Sequence, residues 1–166
     1  MIKAINQKEM KKSQINYLYL LGFLFLFISC GKKPMFDEAY HFKDRIWSFN
    51  DTASFEVMVE DTTKQYDFIL TLRTTTDYKY SNLWVHIAST APDQSTSKVA
   101  QRINLARPDG SWIGRVSGTI VESKLHYSTT QFPLSGKYYF DITQAVHQDE
   151  IEEVLDLSLR IIEKEK

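Results

Sequence analysis

Apolar and polar side chains alternate along most of this chain, the signature of half-buried β-strands. The run Phe55-Glu-Val-Met-Val-Glu60 alternates in this way. After the break Asp61-Thr62-Thr63-Lys64 the pattern resumes, with Tyr66, Phe68, Leu70 and Leu72 on one side. Two such runs around a short polar break predict a hairpin. Leu83, Val85 and Ile87 form the next inner row, with Trp84 and His86 opposite, and a polar loop through Pro92 and Ser97 leads to a further alternating stretch from Val99 to Leu105. Pro108-Asp109-Gly110 marks a turn, because Pro presets φ near −65° and Gly accepts the left-handed conformation; Trp112 is expected to open the strand that follows. Weaker strands are predicted over Thr119–Tyr127. A clear one follows over Tyr138–Ile142, after the breaks Phe132-Pro133 and Ser135-Gly136.

Near the C-terminus the period changes and then returns. Thr143 is a candidate N-cap, and Gln144 to Glu153 mixes good helix formers with Ala145, Val146 and Ile151, so one short helical turn is predicted near 144–152. Leu155, Leu157, Leu159 and Ile161 then alternate with Asp156, Ser158 and Arg160 as a last strand. About eight short strands joined by frequent turns predict an all-β domain, a two-layer antiparallel β-sandwich with the jelly roll among the topologies that fit. Its expected inner face includes Phe55, Val57, Phe68, Leu70, Leu83, Val85, Tyr138, Phe140, Leu157 and Leu159.

The first thirty residues break this pattern. Lys8, Lys11 and Lys12 precede the uncharged run Tyr17 to Ile28, which ends at Ser29-Cys30-Gly31, the three-part form of an export signal. Twelve residues in a helix rise only about 18 Å, short of the ~30 Å hydrocarbon core, so the run is read as a cleaved leader over 1–29 and not as a membrane span. A buried core helix is the bland alternative; the absence of a polar face, the lysine cluster and the small residues at its end all count against it. Phe27-Ile28-Ser29-Cys30 resembles a bacterial lipobox, with Phe27 in place of the usual Leu, and the sole cysteine of the chain occupies the position that would be lipidated. Two or three acyl chains on Cys30 would hold the protein on a membrane, where one chain anchors only marginally. Residues 30–45 are then a lipidated tether and 46–166 the β-sandwich domain. The sequence after Cys30 lacks both an Asp resembling an inner-membrane retention signal and an acidic run resembling a surface-export signal, which points to the outer membrane, facing the periplasm.

Composition narrows the function. The 166 residues carry a net charge of −1, and the leader removes four lysines against one glutamate, so no basic surface for nucleic acid or anionic lipid is expected. His41, His86, His126 and His147 are scattered, without metal-ligand spacing, so neither metal nor cofactor is expected. Gly114-Arg-Val-Ser-Gly118 misses the spacing of a nucleophile elbow, and Asp149, Glu150, Glu152 and Glu153 read as a solvated acidic face. No catalytic residue can be named, and no small-molecule substrate is evident. Of the 22 aromatics, Tyr78, Tyr80, Trp84 and Trp112 stand in or beside loops as a possible interaction surface, where stacking on sugar rings is one use and filling the edges of the sandwich the bland one.

The order of marks resembles the GldH family of gliding-motility lipoproteins. The residues that carry the resemblance are the lipobox at Cys30, Trp47, Phe55 through Asp61, Leu72-Arg73, Asp77 through Trp84, and Pro108 through Gly114. Phe132-Pro133, Gly136-Lys137-Tyr138, Gln144-Ala145-Val146 and Leu159-Arg160-Ile161 complete the series. Ser158 stands where the family more often has Gly, and His147 where Arg is usual. The resemblance implies an accessory lipoprotein of the envelope machinery that moves surface adhesins, linked to type IX protein secretion. It would act by contacts with other gliding and secretion proteins and would not be an enzyme. A glycan-binding lipoprotein using the exposed aromatics is the alternative from another class.

Overall fold

The computed structural model describes residues 33–164; the leader and Cys30 lie outside them. Every strand below lies within the compact unit of residues 34–166. The strands are β1 (Phe36–His41), β2 (Ile46–Ser48), β3 (Thr52–Val59), β4 (Tyr66–Thr75), β5 (Asn82–Thr90), β6 (Thr96–Asn104), β7 (Arg115–Ser117), β8 (Ile120–Thr130), β9 (Gly136–Gln144), β10 (Glu150–Glu152) and β11 (Val154–Glu163). They form a five-stranded sheet in the order β1-β11-β4-β8-β7, a four-stranded sheet in the order β3-β9-β5-β6, and a small β10-β2 pair. Strand pairing is antiparallel throughout these sheets. The expected all-β sandwich is the architecture found.

Period two decides which side chains meet. In β3 Ala53, Phe55, Val57 and Val59 are buried and the residues between them are not. Nine of the ten expected inner-face residues are buried, and Phe140 is half-buried against the same core. Aromatic rings join the layers at one end of the sandwich: Phe68 lies 5.7 Å from Phe140 and 5.5 Å from Phe132, and Phe132 lies 4.7 Å from Tyr138, centroid to centroid. At the other end Trp47 is 0% exposed, stacks 4.5 Å from Phe42 and donates its Nε1 hydrogen to the Asp51 carbonyl at 3.1 Å.

Four local expectations change. Phe55–Glu60 and Tyr66–Leu72 are not a hairpin, because β3 pairs with β9 while β4 pairs with β11 and β8, so the Asp61–Gln65 segment crosses from one sheet to the other. No helical turn forms near 144–152. Gln144 ends β9 with its side chain buried, where Nε2 donates to the Gln148 carbonyl at 2.8 Å and Oε1 accepts from the Val146 amide at 3.3 Å, and Ile151 pairs with Trp47 in β10. The helical piece that does form among the described residues is a 3-10 turn at Lys43–Arg45. Trp112 opens no strand either; it makes a single bridge to Ala106 across the Pro108-Asp109-Gly110 turn, where Gly110 takes φ 85°, and β7 starts three residues later. Finally, residues 36–41 of the expected tether are β1, paired with β11 along their whole length.

Three turns share one device. Asp61, Asp93 and Asp109 each accept, at Oδ1, the amide and hydroxyl hydrogens of the residue two positions on, Thr63, Ser95 and Ser111, at 2.6–3.0 Å. The hydroxyl bond, followed by the amide bond, holds each carboxyl below the usual aspartate range. A carboxyl whose pKa falls on folding contributes stability above its unfolded pKa and loses that contribution as pH drops through the folded value. Amide exchange at Thr63, Ser95 and Ser111 is therefore expected to stay slow from pH 8 to 5 and to accelerate, relative to neighbouring amides, only below about pH 4. Exchange corrected for intrinsic pH dependence checks this.

Core truncations should separate by depth. Leu157, fully buried, should lose about 2–5 kcal/mol on replacement by Ala, whereas Val99→Ala, at an exposed position, should stay within about 0.5 kcal/mol of wild type. Urea midpoints at constant m-value measure both.

Candidate functional site

Strand β1 runs from the end of the sandwich that holds the Phe68, Phe132 and Phe140 rings towards the end closed by Trp47. Recesses open at both ends, and their linings differ in chemistry.

At the Trp47 end lie the loops that carry the expected interaction surface. The Ser81 carbonyl accepts the amides of Leu105 and Ala106, and the Trp84 carbonyl accepts that of Ala145, which brings three loops together. Of the four aromatics, the structure joins Tyr78 and Tyr80, whose rings meet edge to face at 5.7 Å. Tyr80 is 45% exposed and its Oη accepts from Gln148 Nε2 at 2.7 Å. Tyr78 is not an exposed contact residue: at 5% exposure it belongs to the core, and burial pushes its phenol well up. Trp84 is 43% exposed on the outer face of β5, directly across from Arg102 of β6. Trp112 is half-buried and packs against the core. Tyr78, Tyr80 and Trp112 lie outside the strands and Trp84 lies within β5, and only Tyr80 and Trp84 present substantial surface.

Tyr80 borders two recesses. One, of about 290 Å³, is lined by Tyr78, Asn82, Val146, His147 and Gln148. Its neighbour, of about 260 Å³, carries Asp77, Glu150, Glu152 and Glu153 with Lys79. Lys79 Nζ and Glu152 Oε2 pair at 2.8 Å, and this bond raises the lysine pKa and lowers that of the glutamate. Arg45 reaches Glu153 at 3.3 Å. Backbone strain concentrates beside this rim, where Asp44, Arg45 and Glu153 all take left-handed φ of 54°, 63° and 66°.

The outer face of the larger sheet is polar and internally compensated. One row runs across its five strands through His41, Asp156, Arg73, Glu122 and Arg115, so basic and acidic residues alternate. Asp156 is buried within this row. Arg73 Nε donates to both of its carboxylate oxygens at 2.8 and 3.0 Å, Arg73 Nη2 adds a third bond, and His41 Nδ1 lies 3.5 Å away. The bonds to Asp156 raise the Arg73 pKa, so the guanidinium stays charged and committed. Among the described residues, no group of three or more His, Cys, Asp or Glu is arranged to hold a metal ion.

The opposite end holds a feature that sequence reasoning missed. An apolar cleft of about 440 Å³ opens between the sheets, lined by Phe68, Ile87, Val99, Phe132, Phe140 and Leu159, with serines 89, 95 and 97 at its hydroxyl-bearing side. It exists because the far part of the β5–β6 hairpin turns an inner face to solvent: burial along β5 falls from Leu83 and Val85 to Ile87 and Ser89, and Val99, paired with Ile87, is 49% exposed. The available signal was the replacement of apolar residues by Ser89 and Ser97 at positions in register with the inner row.

Comparison with known proteins agrees with this architecture's sequence marks. The chain is 30% identical over 158 residues to a gliding motility lipoprotein GldH homolog of Christiangramia forsetii, covering 90% of this chain and 96% of the relative. It is 32% identical over 155 residues to the gliding motility lipoprotein GldH of Flavobacterium johnsoniae, covering 89% and 96%. A solved structure, the subviral particle of infectious bursal disease virus VP2, overlaps 80% of this chain at a TM-score of 0.37 and 13% identity. The overlap spans about a third, 34%, of the viral chain. The model of the family described as GldH lipoprotein matches residues 34–161, the whole sandwich from just before β1 into β11, and the chain belongs to that family of gliding-motility lipoproteins.

Proposed function

We propose that this protein is an accessory scaffold of the gliding machinery, linked to type IX secretion, held by acyl chains of the palmitate class on Cys30 in the outer membrane and facing the periplasm. The leader 1–29 is removed, and a short tether from Cys30 leads into the sandwich at β1. The protein acts through contacts with other envelope proteins and carries out no reaction of its own. One observation supports the reading most directly: the exposed Tyr80 ring and its acid-rimmed recesses stand at the end of the sandwich away from the entry of the chain at Met35 and Phe36. An anchor at one end leaves the other free for a partner. The rim, with Asp77, Glu150, Glu152 and Glu153 against Lys79, favours a basic partner surface.

Loss of the gene should stop surface spreading and impair type IX secretion, and a Cys30→Ser protein should restore neither. A Tyr80→Ala protein that melts like wild type should weaken its envelope partner by about thirtyfold, the cost of a typical aromatic hot spot of ~2 kcal/mol. Crosslinked pull-down from intact envelopes, quantified against wild type, measures that. Tyr80-dependent or Trp84-dependent binding on a glycan array, in a strain that glides without the gene, would replace the scaffold by a glycan receptor.

A further inference from the structure

The apolar cleft between the sheets opens at the end where the chain enters. Met35 donates its amide to the Ile161 carbonyl at 2.9 Å, Phe36 and Ile161 are paired, and Ile161 is paired in turn with Phe68 in the cleft wall. Neighbouring strands lie about 4.8 Å apart, so the β4 wall is about 10 Å from β1 across the sheet. Cys30 precedes Met35 by five residues, a span of at most about 17 Å. Anything attached to Cys30 is thus tethered within reach of the cleft, at a high effective concentration.

The lining says what fits. It contains no charged side chain; the walls are aromatic rings and aliphatic groups, and the side-chain polar atoms are the serine and threonine hydroxyls on the β5–β6 side and the Tyr138 hydroxyl, which is bonded to the Leu134 backbone. A peptide laid there would bring amide and carbonyl groups against walls that offer them few partners, at a cost in unmet hydrogen bonds. A saturated hydrocarbon chain has none to satisfy, and the volume of about 440 Å³ lies in the range of pockets that enclose small ligands. We infer that the cleft is an acyl-chain site and that its occupant is one of the chains carried by Cys30 of the same molecule, folded back between the sheets. This rests on the reading of Cys30 as the lipidated residue. One chain so sheltered leaves the remaining chain or chains to hold the bilayer, which shifts the molecule towards weaker anchoring, since one chain alone binds a membrane only marginally.

Hydrogen exchange on the mature chain tests this. The lipidated protein in nanodiscs is compared with the leaderless Cys30→Ser protein, whose fold is complete from residue 34 onward. Amides of 87–99 and 132–142 should exchange about tenfold more slowly in the lipidated form, as expected for a segment whose local opening is suppressed. Adding palmitic acid should restore the slow exchange to the Cys30→Ser protein. Val99→Glu, at an exposed position, should abolish both effects with the melting temperature kept, while Val99→Leu should preserve them. Equal exchange in the lipidated and Cys30→Ser proteins overturns the inference, and if palmitic acid still protects, the site serves a diffusing acyl ligand instead. Slowing in intact envelopes but not in the purified lipidated protein assigns the cleft to another polypeptide and also overturns it. The intact mass of the wild-type protein reports separately on the anchor: a mass without acyl increments rejects lipidation at Cys30 itself.

Discussion

The sandwich depends on its last strand reaching the middle of the larger sheet. β11 lies between β1 and β4, so the described chain's first and last strands pair with each other, and the sheet is split until residues 154–163 arrive. Register there admits little error. Leu157, Leu159 and Ile161 face Leu72, Leu70 and Phe68 on the inner side, while Asp156 and Arg160 face outward. A slip by one residue would drive Asp156 and Arg160 into the core and expose three large apolar side chains. The three Arg73 bonds to Asp156 fix the same register from the outer face, just after the bulge between Val154 and Asp156 where the β11–β4 register shifts. Long-range pairing of this kind implies slow folding relative to a helical domain of the same size.

Which residues form strands was legible because alternation is a local property; which strands pair was not, because pairing is not. Asp61–Gln65 reads as a hairpin turn, yet the same few polar residues also bridge two sheets packed about 10 Å apart, and the choice is made by Phe140 and Tyr138 of β9 claiming Phe55 and Val57 as neighbours. The segment after Thr143 has helix-compatible spacing but is too short to nucleate a helix against competition. Trp47 was waiting to be paired with Ile151, and the Gln144 amide closes the loop between them. Trp47 gave little local signal, since a three-residue strand shows no period. Tyr78 illustrates the reverse case: polar neighbours made it look exposed, yet it joins the core cluster and faces Val146, Gln148 and Ile151 across a recess.

The two ends of the molecule solve different problems. At the Trp47 end a stacked Phe42 and Trp47, the small sheet, and Tyr78 seal the core against loops rich in acids. The strained residues Asp44, Arg45 and Glu153 mark the cost of bringing β1, β2, β10 and β11 into that corner, and the Arg45–Glu153 pair spans it. At the other end the sheets are sealed only in part. Phe132 and Phe140 close over Phe68, but burial falls along the β5–β6 hairpin towards its tip, and hydroxyl side chains replace apolar ones along its inner face. The cleft follows from that loss of apolar cover along the hairpin, and its position beside the chain entry is what turns it from a packing defect into a candidate binding site.

A protein held at a membrane surface is locally concentrated, so its sheet edges must not recruit one another. The edges found among the described strands are β1 and β7 in one sheet and β3 and β6 in the other. Each is blunted by a recognisable means. β1 carries Asp37, Glu38 and His41, with Asp37 tied to Arg160 on the adjoining strand. β7 is three residues long. β3 places Glu56 against Lys137 at 2.6 Å, and β6 sets Lys98 and Arg102 outward. Charge at every long edge therefore disfavours strand addition there. Exposed Met58, Trp84 and Tyr139 alternate with buried residues of β3, β5 and β9, so the smaller sheet offers apolar surface on its outward face and charge along its edges.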